Sequence, residues 1–291
     1  MCNFTCAIKV ARFFTSESRN AREIWATPGS RPGGPAKFTL CSFPARWLSQ
    51  RVTGTILNVA GIVIGAVAGL TRKAPLPVAT QNYLKVALGA FTVFFGLRLT
   101  WLSVGGSFLQ VVRQLAIVIV ALILGKVTGR LLRLQRASNR LGRFARERMA
   151  AVKPDSPDRI VEGFYVCTAL FCAAPIGILG AIQDGLSGYS YPLAIKAWMD
   201  GLAVMSFVAM FGWGAALSAV PVLVFQGTIS LLCARFLLPL LQAHELVDPV
   251  NATGGLLIFC VALVIFEVRR IEVTDYLPGL VFAPLLTWWI S

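Results

Sequence analysis

From Gly54 onward the chain alternates long apolar stretches with short polar connections, and this alternation predicts about eight membrane-crossing helices. The stretches run from about Gly54 to Leu70, Tyr83 to Trp101, Val111 to Leu131, Ile160 to Ile182, Ala194 to Leu217, Ala219 to Leu240, Asn251 to Val268 and Tyr276 to Ile290. A hydrocarbon core of about 30 Å calls for roughly 20 helical residues at about 1.5 Å each, a length most of these stretches reach or approach. Only one carboxylate, Asp200, lies well inside any of them. The predicted fold class is therefore an all-α polytopic membrane protein, with residues 54–291 as its integral membrane domain.

The polar connections give the stretches a direction. With eight spans, one side carries Arg72 and Lys73, then the run from Arg133 to Arg159, then Arg269 and Arg270, while the other side has almost no positive charge and holds Asp184, Glu245 and Asp248. The positive-inside rule then places both termini of the membrane domain outside. The segment at about 132–159 has Leu134, Leu141, Ala145 and Met149 at near-helical spacing, with Arg133, Arg136, Arg140 and Arg143 on another face. This is the pattern of a basic amphipathic helix lying on anionic phospholipid headgroups.

Composition agrees with the pattern. Mean hydropathy is +0.72, and charged residues make up only 14% where soluble chains carry about a quarter. The net charge of +14 is uneven, since residues 1–53 hold eight Lys and Arg against Glu17 and Glu23. Those residues contain no apolar run long enough for a secretory signal or a span. They are expected to be a disordered leader, either a targeting peptide or an extension that is not part of the working protein. The second is favoured because eight cations outside would break the charge rule.

Positive charge beside apolar spans points to lipid, and no RNA- or DNA-binding motif is present, so no nucleic-acid partner is expected. Of seven cysteines, Cys2, Cys6 and Cys41 fall in the leader. Cys167, Cys172, Cys233 and Cys260 sit singly in apolar stretches, as small buried residues do. One histidine, His244, cannot build a His-based metal site, so neither metal nor cofactor is expected.

In the first span Gly54, Asn58, Gly61, Gly65 and Gly69 fall on one helical face. Glycine at such spacing lets a neighbouring helix approach closely, and Asn58 on that face would look toward protein, because an unpaired amide in hydrocarbon is costly. Shorter versions occur at Gly89, Thr92 and Gly96 and at Gly125 with Gly129. Residues Gly54 to Ile56 recur as Gly227 to Ile229, and Ala87 to Leu97 resembles Thr253 to Val264. Spans one to three and six to eight are thus a possible inverted three-helix repeat, a recurrent transporter design with its site near the midplane.

Candidate chemistry is sparse. No acid occurs between Glu23 and Glu147, so the first three spans supply no carboxylate. Asp200 is the deepest acid, with Lys196 one turn earlier as a neutralising partner, and an intramembrane acid is a functional candidate by default. Gln226 is the other polar residue at depth. Pro175 should break the fourth span, exposing backbone groups that are tolerated only beside protein or a wet cavity, and Gln183 with Asp184 follows close behind. Substrate or ion binding is accordingly assigned to Asn58, Asp200, Gln226, Pro175, Gln183 and Asp184. Helix packing is assigned to Gly54, Gly61, Gly65 and Gly69. Catalytic motifs such as a P-loop, GxSxG or HExxH are absent.

Residues Gly54 to Asn58, Glu162 to Phe164, Ile178 to Gly185, Met199 to Gly201, Pro221 to Ser230, Gly254 to Ile258 and Leu277 to Leu286 together resemble the YqgA/YdfK-type bacterial membrane proteins, domain of unknown function 554. The resemblance covers about four-fifths of the chain and implies a multi-pass protein of a bacterial inner (plasma) membrane that starts near the Gly-Thr-Ile segment. At Ala173, Ala174 and Pro175 this chain departs from the family's expected Gly-Ala pair without proline. The resemblance implies no activity. The function expected from the residues is a transporter or permease for a small polar or ionic solute, not an enzyme. Its alternatives are a non-transporting scaffold or regulatory subunit and, more weakly, an intramembrane enzyme. The substrate, the coupling ion and whether the chain forms an oligomer stay open.

Overall fold

The computed structural model describes residues 51–72, 77–151, 158–269 and 271–290. The expected leader, apart from residues 51–53, lies outside them, as do Lys73, Lys153 and Arg270. Among the described residues all regular structure is helical. The order is α1 (Thr53–Thr71), α2 (Val78–Leu102), α3 (Phe108–Leu131), α4 (Leu134–Ala151), α5 (Arg159–Ala173), α6 (Pro175–Ser187), α7 (Tyr191–Phe211), α8 (Gly214–Leu217), α9 (Ala219–Leu232), a π-helical turn (Cys233–Leu237), α10 (Leu238–Ala243), α11 (Val247–Ile265), a 3-10 turn (Val273–Tyr276) and α12 (Gly279–Ile290).

Six of these stretches are long and apolar enough to cross a membrane: α1, α2, α3, α7, the run Gly214–Ala243 that contains α8 to α10, and α11. The pair α5 and α6 makes a seventh if its 60° bend is counted within one span. In α3 only 22% of the apolar window is buried by protein, so most of its apolar surface can be satisfied only by lipid. The protein is an integral multi-pass membrane protein.

Glycines set the helix pairs. On α1 a Cβ at Gly61 would lie 2.5 Å from Ala197 O, one at Gly65 2.2 Å from Gly201 O, and one at Gly69 2.8 Å from Met205 O. The four-residue steps on α1 match four-residue steps on α7, so the two helices run parallel with backbones in contact. Between α2 and α11 the order reverses: Gly89 meets Phe266, Gly96 meets Gly255, and Thr100 Oγ1 donates to Ala252 O at 3.2 Å. α12 lies antiparallel to α3 in the same way. Gly129 meets the backbone of Asp275, Gly125 meets Gly279, and Arg113 Nη2 donates to Ile290 O at 2.6 Å. α12 has only twelve residues, about 18 Å of helix, but together with the preceding 3-10 turn it accompanies α3 from Gly129 back to Arg113.

One expected span end shifts, while an expected break holds. The fifth span, expected to reach Leu217, ends at Phe211, because Gly212 adopts a positive φ of 64° and turns the chain. Gly214 then lies against the Ile160 backbone, where a Cβ would be 2.0 Å from its carbonyl oxygen. Hydropathy is blind to this turn, since the residues on both sides are apolar. The fourth span breaks where expected: Ala174 is extended, and Pro175 opens α6 at a position that needs no amide donor.

The basic segment forms α4, entered through Arg133 at φ 56°. Its Ala145 is buried in a cluster with Ile62, Val166 and Phe211, with Met149 packed against it, while Leu141 stays 45% exposed. Arg133, Arg136, Arg140 and Arg143 are all exposed. α4 runs antiparallel to α5, held at one end by Ser138 Oγ donating to Ala173 O at 3.3 Å and at the other by the Arg148–Glu162 ion pair. The freed carbonyl before the Pro175 break is thus taken by a side chain from α4.

Candidate functional site

Three helices bring polar side chains to one buried place, and a fourth packs a glycine against them. From α1, Asn58 Nδ2 donates to Gln226 Oε1 of α9 at 3.0 Å. From α7, Asp200 is ion-paired with Lys196 one turn earlier, and the Asn58 amide also reaches its carboxylate. The broken span contributes Gly177, in the first turn of α6. A Cβ there would be 2.8 Å from Lys196 Cε and 3.0 Å from Gln226 Nε2. Lys196 also lies over the Phe171 ring of α5, at 5.7 Å.

Burial is nearly complete: Asn58 and Gln226 are 0% exposed, Lys196 1% and Asp200 7%. The Lys196–Asp200 pair offsets two desolvation penalties that would be several kcal/mol each if either charge stood alone. The amides are less well served. Asn58 Oδ1 and Gln226 Nε2 have no partner, and each such orphan costs about 1–3 kcal/mol. An apolar groove runs along the outer side of the α1–α7 seam, lined by Gly61, Gly65, Trp198 and Gly201, but none of the four polar residues opens into it.

Of the six residues assigned to binding, Asn58, Asp200 and Gln226 are together, and Pro175 sets the helix end beside them. Asp184 lies further along α6 and does different work. Its Oδ2 accepts from the Gly54 N–H at 2.9 Å and the Thr55 N–H at 3.4 Å, capping the start of α1, while Oδ1 is left without a partner. A carboxylate at a helix start meets the positive end of the dipole. Gln183 points elsewhere: it packs on Gly254 of α11, and neither amide atom has a partner.

Three contributors were not among the residues assigned to binding. Ser230 links the two levels, its Oγ 3.4 Å from Thr55 Oγ1 and donating to Ala181 O at 2.9 Å. Gly177, lacking a Cβ, lets Lys196 and Gln226 pack directly on the first turn of α6. Arg51, inside the expected leader, donates from Nη1 to Leu186 O at 2.7 Å. The Thr-x-x-Asn spacing of Thr55 and Asn58 on the glycine face was the available signal for Thr55, and the one-turn step from Gln226 was that for Ser230; Arg51 had none. Among the described residues no group of three or more His, Cys, Asp or Glu side chains is gathered closely enough to hold a metal ion.

Comparison with known proteins places this arrangement in a family. The model of the family described as "Protein of unknown function (DUF554)" matches residues 53–288. The chain belongs to the DUF554 family. It is 28% identical over 245 residues to the Uncharacterized protein YqgA of Escherichia coli (strain K12), covering 82% of this chain and 98% of that protein. It is 26% identical over 238 residues to the Uncharacterized membrane protein YdfK of Bacillus subtilis (strain 168), covering 81% and 96%. No solved structure matches. The DUF554 match therefore takes in every helix from α1 to nearly the end of α12, including all the polar residues above except Arg51.

Proposed function

We propose that this DUF554 protein is a transporter or permease for a small polar or ionic solute, without catalytic chemistry of its own. The observation that carries the reading is the pair of orphaned amide atoms, Asn58 Oδ1 and Gln226 Nε2, wholly buried beside a buried ion pair and a broken helix. Native proteins satisfy nearly all such atoms, and a solute that completes them in another state of the protein accounts for their retention. Asp200 binds the coupling proton or cation, Asn58 and Gln226 hold the solute, and the α5–α6 break lets the site open. In proteoliposomes, Asp200→Asn and Gln226→Ala should each abolish uptake while the protein still reconstitutes; undiminished uptake in both would sink the roles assigned here.

The same proposal has eight traverses in a bacterial inner membrane, with both ends of the membrane domain outside and the exposed arginines of α4 on anionic headgroups. Support comes from directions: an eight-span path demands that α1 and α7 be parallel, and that α2 with α11 and α3 with α12 be antiparallel, as they are. The inverted repeat gains support from contacts too. α1 meets α9 antiparallel, through Thr55 with Ser230 and Asn58 with Gln226, so each helix of the first set touches its counterpart in the second. A reporter placed between α4 and α5 that responded from outside the cell would overturn the orientation.

A second reading, a scaffold or regulatory subunit, is favoured by the closed state of the cluster, which no groove described here enters. On that reading, substitutions at Gly61 or Gly65 remove a partner protein and leave no flux to lose.

A further inference from the structure

The first turn of α6 gives the polar cluster a chemical preference, an inference that rests on the permease reading. Ala174 offers no side-chain cap, Pro175 brings no amide, and the Ile176 N–H meets no acceptor among the described residues. α6 is thirteen residues long, and the aligned peptide dipoles of a helix leave about half a positive charge at such an end, which suits an anion. Independently of the helix end, Gln226 Nε2 is wholly buried, unpartnered and aimed at Gly177 in this same turn. It cannot turn round for a partner, because its Oε1 is already taken by Asn58. Lys196 lays its stem along the same turn, with Cε 2.8 Å and Cδ 3.4 Å from where a Gly177 Cβ would stand, and its ammonium, paired with Asp200, is one bond further on. Two unpartnered donors, the Ile176 N–H and Gln226 Nε2, thus meet at a turn where glycine lets the Lys196 stem and the Gln226 amide pack closely, with the Lys196 charge just beyond. On the other side of Gln226 stands one unpartnered acceptor, Asn58 Oδ1.

We propose that the α6 N-terminus is the carboxylate subsite of this protein, and that its ligand is a small 2-hydroxy or 2-amino acid. The carboxylate rests on the Ile176 N–H, Gln226 Nε2 and Lys196 Nζ. The neighbouring hydroxyl or ammonium group donates to Asn58 Oδ1. A solute lacking that donor leaves the acceptor unpaired, and sites built around a buried hydrogen bond reject such analogues strongly.

The test uses the purified full chain with five probes: L-lactate, L-alanine, propionate, glycerol and choline. A ligand of the native form raises the melting temperature with its concentration. L-lactate, L-alanine or both should do so and should enter proteoliposomes, with propionate at least tenfold weaker and glycerol and choline without effect. Gly177→Ala pushes a methyl against Lys196 and Gln226 and Gln226→Glu sets carboxylate against carboxylate, so each should weaken the response to the active acid tenfold or more. Should Gly177→Ala fail to fold, Gln226→Glu, equal in size, decides alone. Stabilisation and uptake confined to glycerol or choline overturn the carboxylate subsite and leave the permease standing. An acid response unchanged in the variants also overturns it. If none of the five probes binds or enters, both readings fall.

Discussion

The two faces that α1 presents to the rest of the protein are built to opposite standards. Along the seam with α7, beyond the polar contact of Asn58 with Asp200, Gly61, Gly65 and Gly69 bring backbone against backbone. Toward α9, Asn58 reaches Gln226 and leaves an unpaired atom at each end of the bond. In lipid, where apolar side chains gain nothing by leaving one apolar medium for another, close packing is the main source of helix affinity. The seam is where α1 gains its stability. The polar face costs stability, and a cost retained at the centre of the bundle points to use.

Substitutions can break that comparison, and the largest effect is expected inside the polar face. Lys196→Met strands the Asp200 carboxylate and should destabilise by about 3–5 kcal/mol, while Lys196→Met with Asp200→Leu should recover most of that loss. Chemical unfolding in mixed detergent would show it. A double variant no more stable than the single would mean that the pair is already reached by water. Next, Gly65→Ala forces the α1 and α7 backbones apart and should cost about 1–3 kcal/mol, with stability and uptake falling together because the seam has no other task. A similar stability effect, with a larger functional one, is expected at Gln226→Leu. It removes the Asn58 acceptor for about 1–3 kcal/mol, and adding Asn58→Leu should restore stability without restoring uptake. Recovery of both would reduce the polar face to packing. At the small end, Glu267→Gln opens an exposed ion pair with Lys85. Such pairs contribute little, so melting temperature and uptake should both stay unchanged.

What could be read in advance followed physical rules that act locally. The glycine face of α1 was visible because helical spacing fixes which side chains share a face, and the break at Pro175 was visible because proline has no amide to give. The turn at Gly212 was not, since glycine is compatible with either a helix or a left-handed turn and its flanks are apolar in both cases. Asp184 was noticed as an acid near a helix end, yet its part as the cap of α1 depends on a helix 130 residues away in sequence. Gln183, its neighbour, faces α11 because adjacent residues on a helix point about 100° apart.

By itself the sequence determined that the protein lives in lipid, which stretches can cross it, and where charge must stay at the surface, because transfer energies are summed over local composition. Only the tertiary structure decided that α1 lies parallel to α7, that Asn58 meets Gln226, and that the α6 end opens onto Lys196. Those choices depend on which backbones can approach closely and which buried polar atoms find partners, and both are properties of pairs of helices rather than of any one stretch of chain.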